Sequence, residues 1–138
     1  MRRVIGFDGK QHLFNFAHNK ARKDRGGKSS YHAQARVLIK EEYPLNSLYE
    51  EVTLPGSKKP GRTGLLYADF FIPDLDLIIE VHGEQHYKHI PFFHKSKAHF
   101  LLSVKRDREK EEWCSLNDIT LIVLPYNKRD EWKQALER

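Results

Sequence analysis

Two neighbouring apolar segments that each contain charged residues constrain the fold of this chain more than any other feature. Residues 65–72 read Leu-Leu-Tyr-Ala-Asp-Phe-Phe-Ile, and residues 75–82 read Leu-Asp-Leu-Ile-Ile-Glu-Val-His after a Pro-Asp turn signal. Both have the length and composition of strands, so the sequence predicts two adjacent strands. Asp69 interrupts the first buried run, and side-chain alternation places Glu80 and His82 together on one face of the second.

If these two strands pair, Asp69, Glu80 and His82 converge at one point of the sheet. Leaving such groups buried without partners costs several kcal/mol each, so something must pair with them. The natural partner of two converging carboxylates is a hard divalent cation such as Mg²⁺, which takes oxygen ligands and keeps waters. The alternative is an edge strand on which Glu80 and His82 face solvent.

The rest of the chain fits one domain that contains this strand pair. Its 138 residues, of which 39% are hydrophobic, are enough to bury a core. The order hairpin, α, β, β, β, α, β, α predicts an α/β fold with one mixed sheet and helices on its faces. The predicted elements are a hairpin within 2–16, a helix from Ser29 or Ser30 to about Glu42, strands at 48–54, 65–72 and 75–82, a helix at 97–116, a strand at 119–124 and a helix at 128–137.

The positive charge is concentrated at the N-terminus. The net charge is +5, with +6 in residues 1–30 and −1 in the remainder. Residues 20–28 hold the densest basic cluster, which reads either as a solvated loop or as a strap that contacts phosphates. We therefore divide the chain into a basic N-terminal hairpin and arm, residues 1–28, and a main domain, residues 29–138.

A second unexpected charge lies in the predicted helix 97–116. At about 100° per residue, Asp107 falls on the apolar stripe that should face the sheet. The plain alternative is a helical ion pair with Lys110 at i+3, the basic residue at helical spacing.

The segment after the second strand adds further polar groups. Gly83 permits a sharp turn, so Gln85 and His86 should stand near the mouth of the same site. A zinc site is a further alternative, but the spacing is unlike that of a zinc finger and the single cysteine, Cys114, is distant in sequence. The histidines in question are His86, His89, His94 and His99, which otherwise contact phosphates or base faces, or pack.

The composition excludes several other classes of protein. No apolar run approaches the roughly 20 residues that span a bilayer, and the first residues lack a signal-peptide pattern. A single cysteine excludes a disulfide framework. We expect an intracellular, cytoplasmic protein without a membrane partner.

The chain resembles the PD-(D/E)xK nuclease signature at Asp69 and, after ten intervening residues, at Glu80-Val81-His82. His82 stands where the signature usually has a lysine. With Gly83, Arg106-Asp107-Arg108 and residues 117–124, the chain more narrowly resembles very-short-patch-repair endonucleases and phage homing endonucleases of the EDxHD type. The resemblance covers roughly residues 29–125. In the first helix, His32 or Gln34 occupies the region where the family has a glutamate.

This resemblance implies a restriction-endonuclease-like three-layer αβα core (α-β-β-β-α-β) with the hairpin added. It also implies a Mg²⁺-dependent endonuclease, with Mn²⁺ as a substitute, that hydrolyses phosphodiester bonds of double-stranded DNA in a bacterium or a phage-infected host. Asp69, Glu80 and the Val81 carbonyl would hold the metal. His82 would accept a proton or bind the phosphate, with a pKa near or somewhat above about 6.5. Asp107 would orient His82 or His86, or hold a metal-bound water, and Gln85 would lie beside them.

Basic residues would then contact the DNA backbone, and the sequence leaves open whether the protein forms a homodimer. A DNA-binding module with a degenerate nuclease fold, a junction nuclease and an RNA nuclease are the alternative functions. The residues expected to contact nucleic acid are Lys20, Arg22, Lys23, Arg25, Lys28, Lys58, Lys59, Arg62 and Lys110.

Overall fold

The computed structural model describes residues 2–22, 30–60, 64–91 and 94–137. The predicted order of elements is confirmed, although the last helix is shorter than expected because a 3₁₀ segment, Tyr126–Glu131, precedes it. The elements are β1 (Arg2–Ile5), β2 (Gln11–Phe14), α1 (Tyr31–Glu42), β3 (Tyr49–Thr53), β4 (Tyr67–Ile72), β5 (Leu77–His82), α2 (Lys97–Leu116), β6 (Thr120–Pro125) and α3 (Trp132–Leu136), with further 3₁₀ turns at Pro73–Leu75 and Glu84–His86.

The central sheet has four strands in the order β3-β4-β5-β6. β4 is antiparallel to both β3 and β5, whereas β5 and β6 are parallel, with α2 as the crossover between them. His82 pairs with Pro125 at the end of the parallel ladder. The carboxyl ends of β5 and β6 therefore meet at one edge of the sheet, where ligands commonly bind in open α/β sheets.

Alternation along β5 separates the hydrophobic core into two parts. Leu77 and Ile79 face α1 and α3, where Ile39 and Trp132 are buried against them. Ile78 faces the other side, where α2 and the hairpin pack. The protein is thus a mixed α/β structure with helices on both faces of a mixed sheet, as the sequence predicted.

The N-terminal hairpin of β1 and β2 belongs to the second of these cores. Phe14 is completely buried and stacks on Phe71 of β4 at 4.8 Å between ring centroids. The side chain of Asn117 accepts from the Ile5 backbone N–H at 2.6 Å and donates to the Ile5 carbonyl at 3.0 Å. The hairpin therefore shares its hydrophobic core with the segment that the sequence assigned to the main domain.

The ends of the main helices have ordinary capping. Ser30 caps α1 by accepting from the Ala33 backbone N–H at 3.2 Å, and Ser96 caps α2 by accepting from His99 at 3.1 Å. Within the described residues, no helix is both long and apolar enough to cross a bilayer.

Candidate active site

The two strand carboxylates meet where the β4–β5 ladder ends, at the pair Phe70 and Ile79. Beyond that pair, the Asp69 backbone N–H donates to Glu80 Oε2 at 2.6 Å, and the Val81 backbone N–H donates to Asp69 Oδ2 at 2.8 Å. Each carboxylate thus accepts a hydrogen bond from a backbone N–H of the neighbouring strand. Glu80 is 2% exposed, so the alternative of a solvent-facing Glu80 on an edge strand is wrong.

The other neighbour of Asp69 is also irregular. The β3–β4 register skips the position where Glu51 would face Asp69. Glu51 has a φ of 50°, in the left-handed region that costs a non-glycine residue about 1–2 kcal/mol. Regular pairing of Asp69 is therefore interrupted on both sides, and local backbone strain of this kind is often found at functional sites.

A lysine from α2 completes the carboxylate pair. Lys110 Nζ lies 2.5 Å from Glu80 Oε1, and the lysine side chain is only 17% exposed. The helical ion pair between Asp107 and Lys110 is not formed, because each pairs with a different group. The sequence assigned Lys110 to DNA contacts and did not reveal this position, since 30 residues separate it from Glu80.

Opposing effects set the pKa of each member of this pair. Burial and the neighbouring Asp69 raise the pKa of Glu80 from 4.5 to about 7, although Lys110 opposes the shift. Burial acts to lower the pKa of Lys110, but Glu80 and then Asp69 and Asp107 raise it above its usual value. Lys110 is therefore a fixed positive charge among three carboxyl groups.

Next to the carboxylate pair, His82, His86 and Asp107 form a second cluster. His86 Nδ1 donates to Asp107 Oδ2 at 2.9 Å, and His82 Nε2 lies 4.0 Å from Asp107 Oδ1. The two imidazole rings are stacked, with centroids 4.0 Å apart and planes at 4°. Asp107 thus lies on the inner side of α2, as the sequence predicted, and its hydrogen-bonded partner is His86.

The pKa of His82 contradicts our expectation. Burial and then the charge of His86 lower the pKa of His82 from 6.5 to about 4, and Asp107 only partly opposes these effects. The prediction of a value near or above 6.5 was wrong because it counted the carboxylates and omitted burial. Burial also acts to raise the pKa of Asp107, but the hydrogen bond and charge of His86 leave it below its usual value.

The two clusters offer different ligands to a metal ion. Asp69, Glu80 and the Val81 backbone present oxygens, and no described residue donates to Asp69 Oδ1. This donor set suits Mg²⁺ or Mn²⁺. One ligand atom each from His82, His86 and Asp107 lies within 4.8 Å of the others. That set includes two imidazole nitrogens, which transition metals prefer and Mg²⁺ does not.

Gln85 lies beside these clusters but is turned towards the backbone. A Cβ atom at position 83 would lie 2.5 Å from Gln85 Oε1. The Gln85 amide therefore occupies the space that a side chain at position 83 would need. The glycine therefore allows Gln85 to fold back over the end of β5.

The histidines considered for zinc do not converge on one point. His86 belongs to the Asp107 cluster, whereas His94 lies with His89 and His99 at ring separations of 5.8 and 5.9 Å. His94 is buried, and its Nδ1 accepts from the Ile90 backbone N–H at 3.0 Å. Among the described residues, the three-residue ligand group is that of His82, His86 and Asp107.

The first helix directs its polar side chains to a glutamate that the sequence analysis missed. Arg36 donates to Glu50 Oε1 through Nε at 3.0 Å and Nη2 at 2.8 Å, and His32 Nε2 lies 2.8 Å from the same oxygen. His32 also stacks on Phe70, which points to the sheet face opposite that of Asp69. His32 therefore belongs to the Glu50 network. Gln34 is partly buried on the same helix.

Glu50 carried a signal that could have been read from the sequence. It alternates with Leu48, Val52 and Leu54 in the predicted strand, which puts a carboxylate on an apolar face. Asp69 was likewise singled out as a carboxylate among apolar residues, because it interrupts a run that should be buried. Burial acts to raise the pKa of Glu50, but the hydrogen bonds from Arg36, the Arg22 backbone and His32 together hold it below its usual value.

The beginning of the basic arm lies along the free edge of β3. The Ala21 backbone N–H donates to the Leu48 carbonyl at 2.9 Å, and Lys20 pairs with Tyr49. Arg22 Nη2 lies 2.9 Å from Glu51 Oε2. Lys20 and Arg22 are exposed, and their backbone is fixed to the sheet.

The other basic candidates differ in their accessibility. Lys58 is exposed, whereas Lys59 pairs with Glu112 at 2.9 Å and lies over the Phe7 ring at 4.5 Å. The remaining candidates lie outside the described residues; they are Lys23, Arg25, Lys28 and Arg62.

Sequence comparisons connect this chain with two viral proteins. It is 45% identical over 65 residues to the uncharacterized protein 307L of Invertebrate iridescent virus 6, a match that covers 47% of this chain and 33% of that protein. It is 38% identical over 61 residues to the uncharacterized protein 033L of Invertebrate iridescent virus 3, covering 44% and 31%. The chain thus spans about a third of the length of these relatives. No protein-family model matches the chain, and no solved structure matches it significantly.

Proposed function

We propose that this protein is a metal-dependent DNA endonuclease with a PD-(D/E)xK-like core. The observation that carries the proposal is the carboxylate pair: Asp69 and Glu80 come from adjacent strands, accept hydrogen bonds from each other's strand, and lie beside the Lys110 ammonium. A buried charge cluster of this cost is difficult to explain as packing alone. We further propose a setting in a virus or mobile element, because the two relatives are viral proteins.

In this proposal, Asp69, Glu80 and the Val81 carbonyl would hold Mg²⁺ or Mn²⁺. When bound there, the cation stabilises charge on the scissile phosphate and promotes ionisation of the attacking water. Asp69 Oδ1, to which no described residue donates, is directly available as a ligand. Glu80 Oε1 becomes available when the Lys110 ammonium turns away from it.

In this proposal, Lys110 would supply the positive charge that a strand lysine supplies in other proteins of the PD-(D/E)xK superfamily. His82 occupies that sequence position, and Lys110 reaches Glu80 from α2. Its raised pKa keeps the ammonium charged at neutral pH, so it can donate to a phosphate oxygen or to the attacking water.

His86 would transfer the proton. Asp107 accepts from His86 Nδ1–H, which leaves Nε2 as the basic nitrogen. The neutral His82 ring stacks on His86 and holds it in position. A positioned imidazole of this kind contributes typically about 10²–10⁴-fold in rate.

The test is cleavage of supercoiled and linear DNA with Mg²⁺, with Mn²⁺ or with EDTA. Asp69→Asn keeps an oxygen to accept from Val81, so the variant should fold but lose cleavage by about 10²-fold or more. Asp74→Asn, at an exposed aspartate of the neighbouring turn, is the matched control and should cut normally.

Lys110→Gln should also lose cleavage, while the exposed Lys105→Gln should not. Cleavage that persists in EDTA, or that survives Asp69→Asn, would refute the metal site. If the wild-type protein does not cut supercoiled or linear DNA but cuts RNA or a branched junction, the substrate is RNA or the junction. Binding without any cleavage would support a degenerate nuclease fold.

A further inference from the structure

Beyond the histidine cluster, a row of aromatic rings leads away from the candidate active site. The His82 ring lies 6.1 Å from Tyr87, Tyr87 lies 6.0 Å from Tyr126, and Tyr126 lies 6.1 Å from Tyr31, measured between centroids. The planes are inclined by 59°, 40° and 50°, so the rings do not stack on one another. We call Tyr87, Tyr126 and Tyr31 the tyrosine row.

The fold explains why these three residues meet. Tyr87 directly follows the 3₁₀ turn after β5, and Tyr126 directly follows β6, whose last residue pairs with His82. Tyr31 is the first residue of α1. The tyrosine row therefore lies at the carboxyl edge of the parallel strand pair and is continuous with the candidate active site.

The rings are not part of the hydrophobic core. Tyr87 is 46% exposed and Tyr31 is 41% exposed, while Tyr126 is partly buried between them. Single exposed aromatic residues are common, but adjacent ones indicate a surface that binds something flat and apolar. Two exposed cations follow in the chain, Lys88 after Tyr87 and Lys128 soon after Tyr126, and such cations can contact a phosphate backbone. Lys88 also lies 3.6 Å from the exposed carboxylate of Glu84.

The spacing distinguishes between paired and unpaired DNA. Stacked bases in a duplex follow one another at about 3.4 Å along each strand, and their faces are covered by neighbouring bases. Rings about 6 Å apart and inclined to each other fit bases that have been separated, each with a free face. Base–aromatic stacking is the usual way in which proteins hold single strands.

We propose that the tyrosine row binds an unpaired segment of the DNA strand next to the cleaved phosphate. This inference rests on the proposed function and narrows its substrate: the protein would prefer duplex DNA with a single-stranded tail, flap or frayed end over continuous duplex.

Binding of fluorescent hairpin duplexes in EDTA tests this without cleavage. One hairpin is blunt, and two others carry a short thymidine tail on the 5′ or the 3′ end. Wild-type protein should bind one tailed hairpin about fivefold or more tightly than the blunt one, the effect of one good stacking contact. Tyr87→Ala and Tyr126→Ala should remove this preference, whereas Tyr87→Phe and Tyr126→Phe keep the ring and should retain it.

Tyr67→Ala is the matched control, because Tyr67 is 59% exposed on β4 and outside the tyrosine row. Equal affinity for blunt and tailed hairpins would overturn the inference. So would alanine variants that lose affinity for both hairpins to the same extent, because this would indicate contacts with duplex DNA or a loss of folding. Tail-dependent binding without Mg²⁺-dependent cleavage of any hairpin would uphold the tyrosine row and refute the nuclease proposal.

Discussion

Replacing Glu80 with glutamine should change how the stability of the metal-free protein depends on pH. Glu80 is 2% exposed, and burial together with Asp69 raises its pKa from 4.5 to about 7. Glutamine has nearly the shape of the protonated carboxyl and does not titrate. The variant therefore removes the titration of Glu80 and, where the carboxylate is ionised, its ion pair with Lys110.

The sign follows from which state holds the proton. Below pH 4.5 the carboxyl is protonated in both the folded and the unfolded protein. Between pH 4.5 and about 7 only the folded protein retains the proton, so the free energy of unfolding falls as pH rises. At 1.36 kcal/mol per pH unit, the wild-type protein loses about 3 kcal/mol across this window through Glu80 alone.

Urea unfolding of both proteins at several pH values in EDTA measures this effect. The free energy of unfolding of Glu80→Gln, minus that of wild type, should rise by about 3 kcal/mol between pH 4.5 and 8. His82 and Asp107 titrate in both proteins, so their contributions cancel in the difference. A difference that does not change with pH would refute the raised pKa, and a difference of opposite sign would mean that Lys110 outweighs burial.

Two further outcomes are expected. Glu50→Ala should destabilise the protein by about 3–5 kcal/mol in urea, because it removes the buried carboxylate to which Arg36 donates. Glu51→Ala, which removes an exposed pair with Arg22, should cost at most about 1 kcal/mol. If the arm binds DNA, neutralising its charges should reduce the slope of log affinity for DNA against log salt concentration by about 0.9 for each phosphate contact that is lost. Neutralising Lys133 in α3 is the control and should leave the slope unchanged. An unchanged slope for the arm variant would exclude the arm from DNA binding. The arm residues to be changed together to glutamine are Lys23, Arg25 and Lys28.

That second experiment uses substitutions because the hairpin is part of the core. The division of the chain at residue 28 would suggest deleting residues 1–28, but this deletion would remove Phe14, which is completely buried between Phe71 and Trp113. A loss of binding after such a deletion would report unfolding. The alternation in these short strands indicated a hairpin but not the surface against which it packs.

The pattern of apolar and charged residues within short segments was sufficient to predict much of the fold and the carboxylate pair. Strand alternation and a turn signal brought Asp69 opposite Glu80, and helical spacing put Asp107 on the inner face of α2. These inferences depend on a few neighbouring residues and on one strand pairing. They did not require knowledge of the distances between elements.

Contacts between distant segments could not be predicted in this way. Lys110 is one helical turn from Asp107, so the sequence is equally compatible with an ion pair between them. Lys110 pairs with Glu80 instead because of the position of α2 along the sheet, which local sequence does not determine. The pKa of His82 depends on burial by elements that the sequence does not position. The Glu50 network could have been anticipated in part, because its carboxylate lies on an apolar face, but its partners on α1 could not.

The hydrogen bonds that join Asp69 and Glu80 to the opposite strand have an evolutionary consequence. Loss of Asp69 would leave the Val81 N–H without an acceptor, and loss of Glu80 would do the same to the Asp69 N–H and leave the charge of Lys110 without its partner. Purifying selection for a folded chain would therefore preserve both acids even in a descendant that had lost the proposed cleavage activity. In such a descendant the acidic pair would persist as part of the fold, whereas loss of the proposed activity would first be visible at His86, the group proposed to transfer the proton.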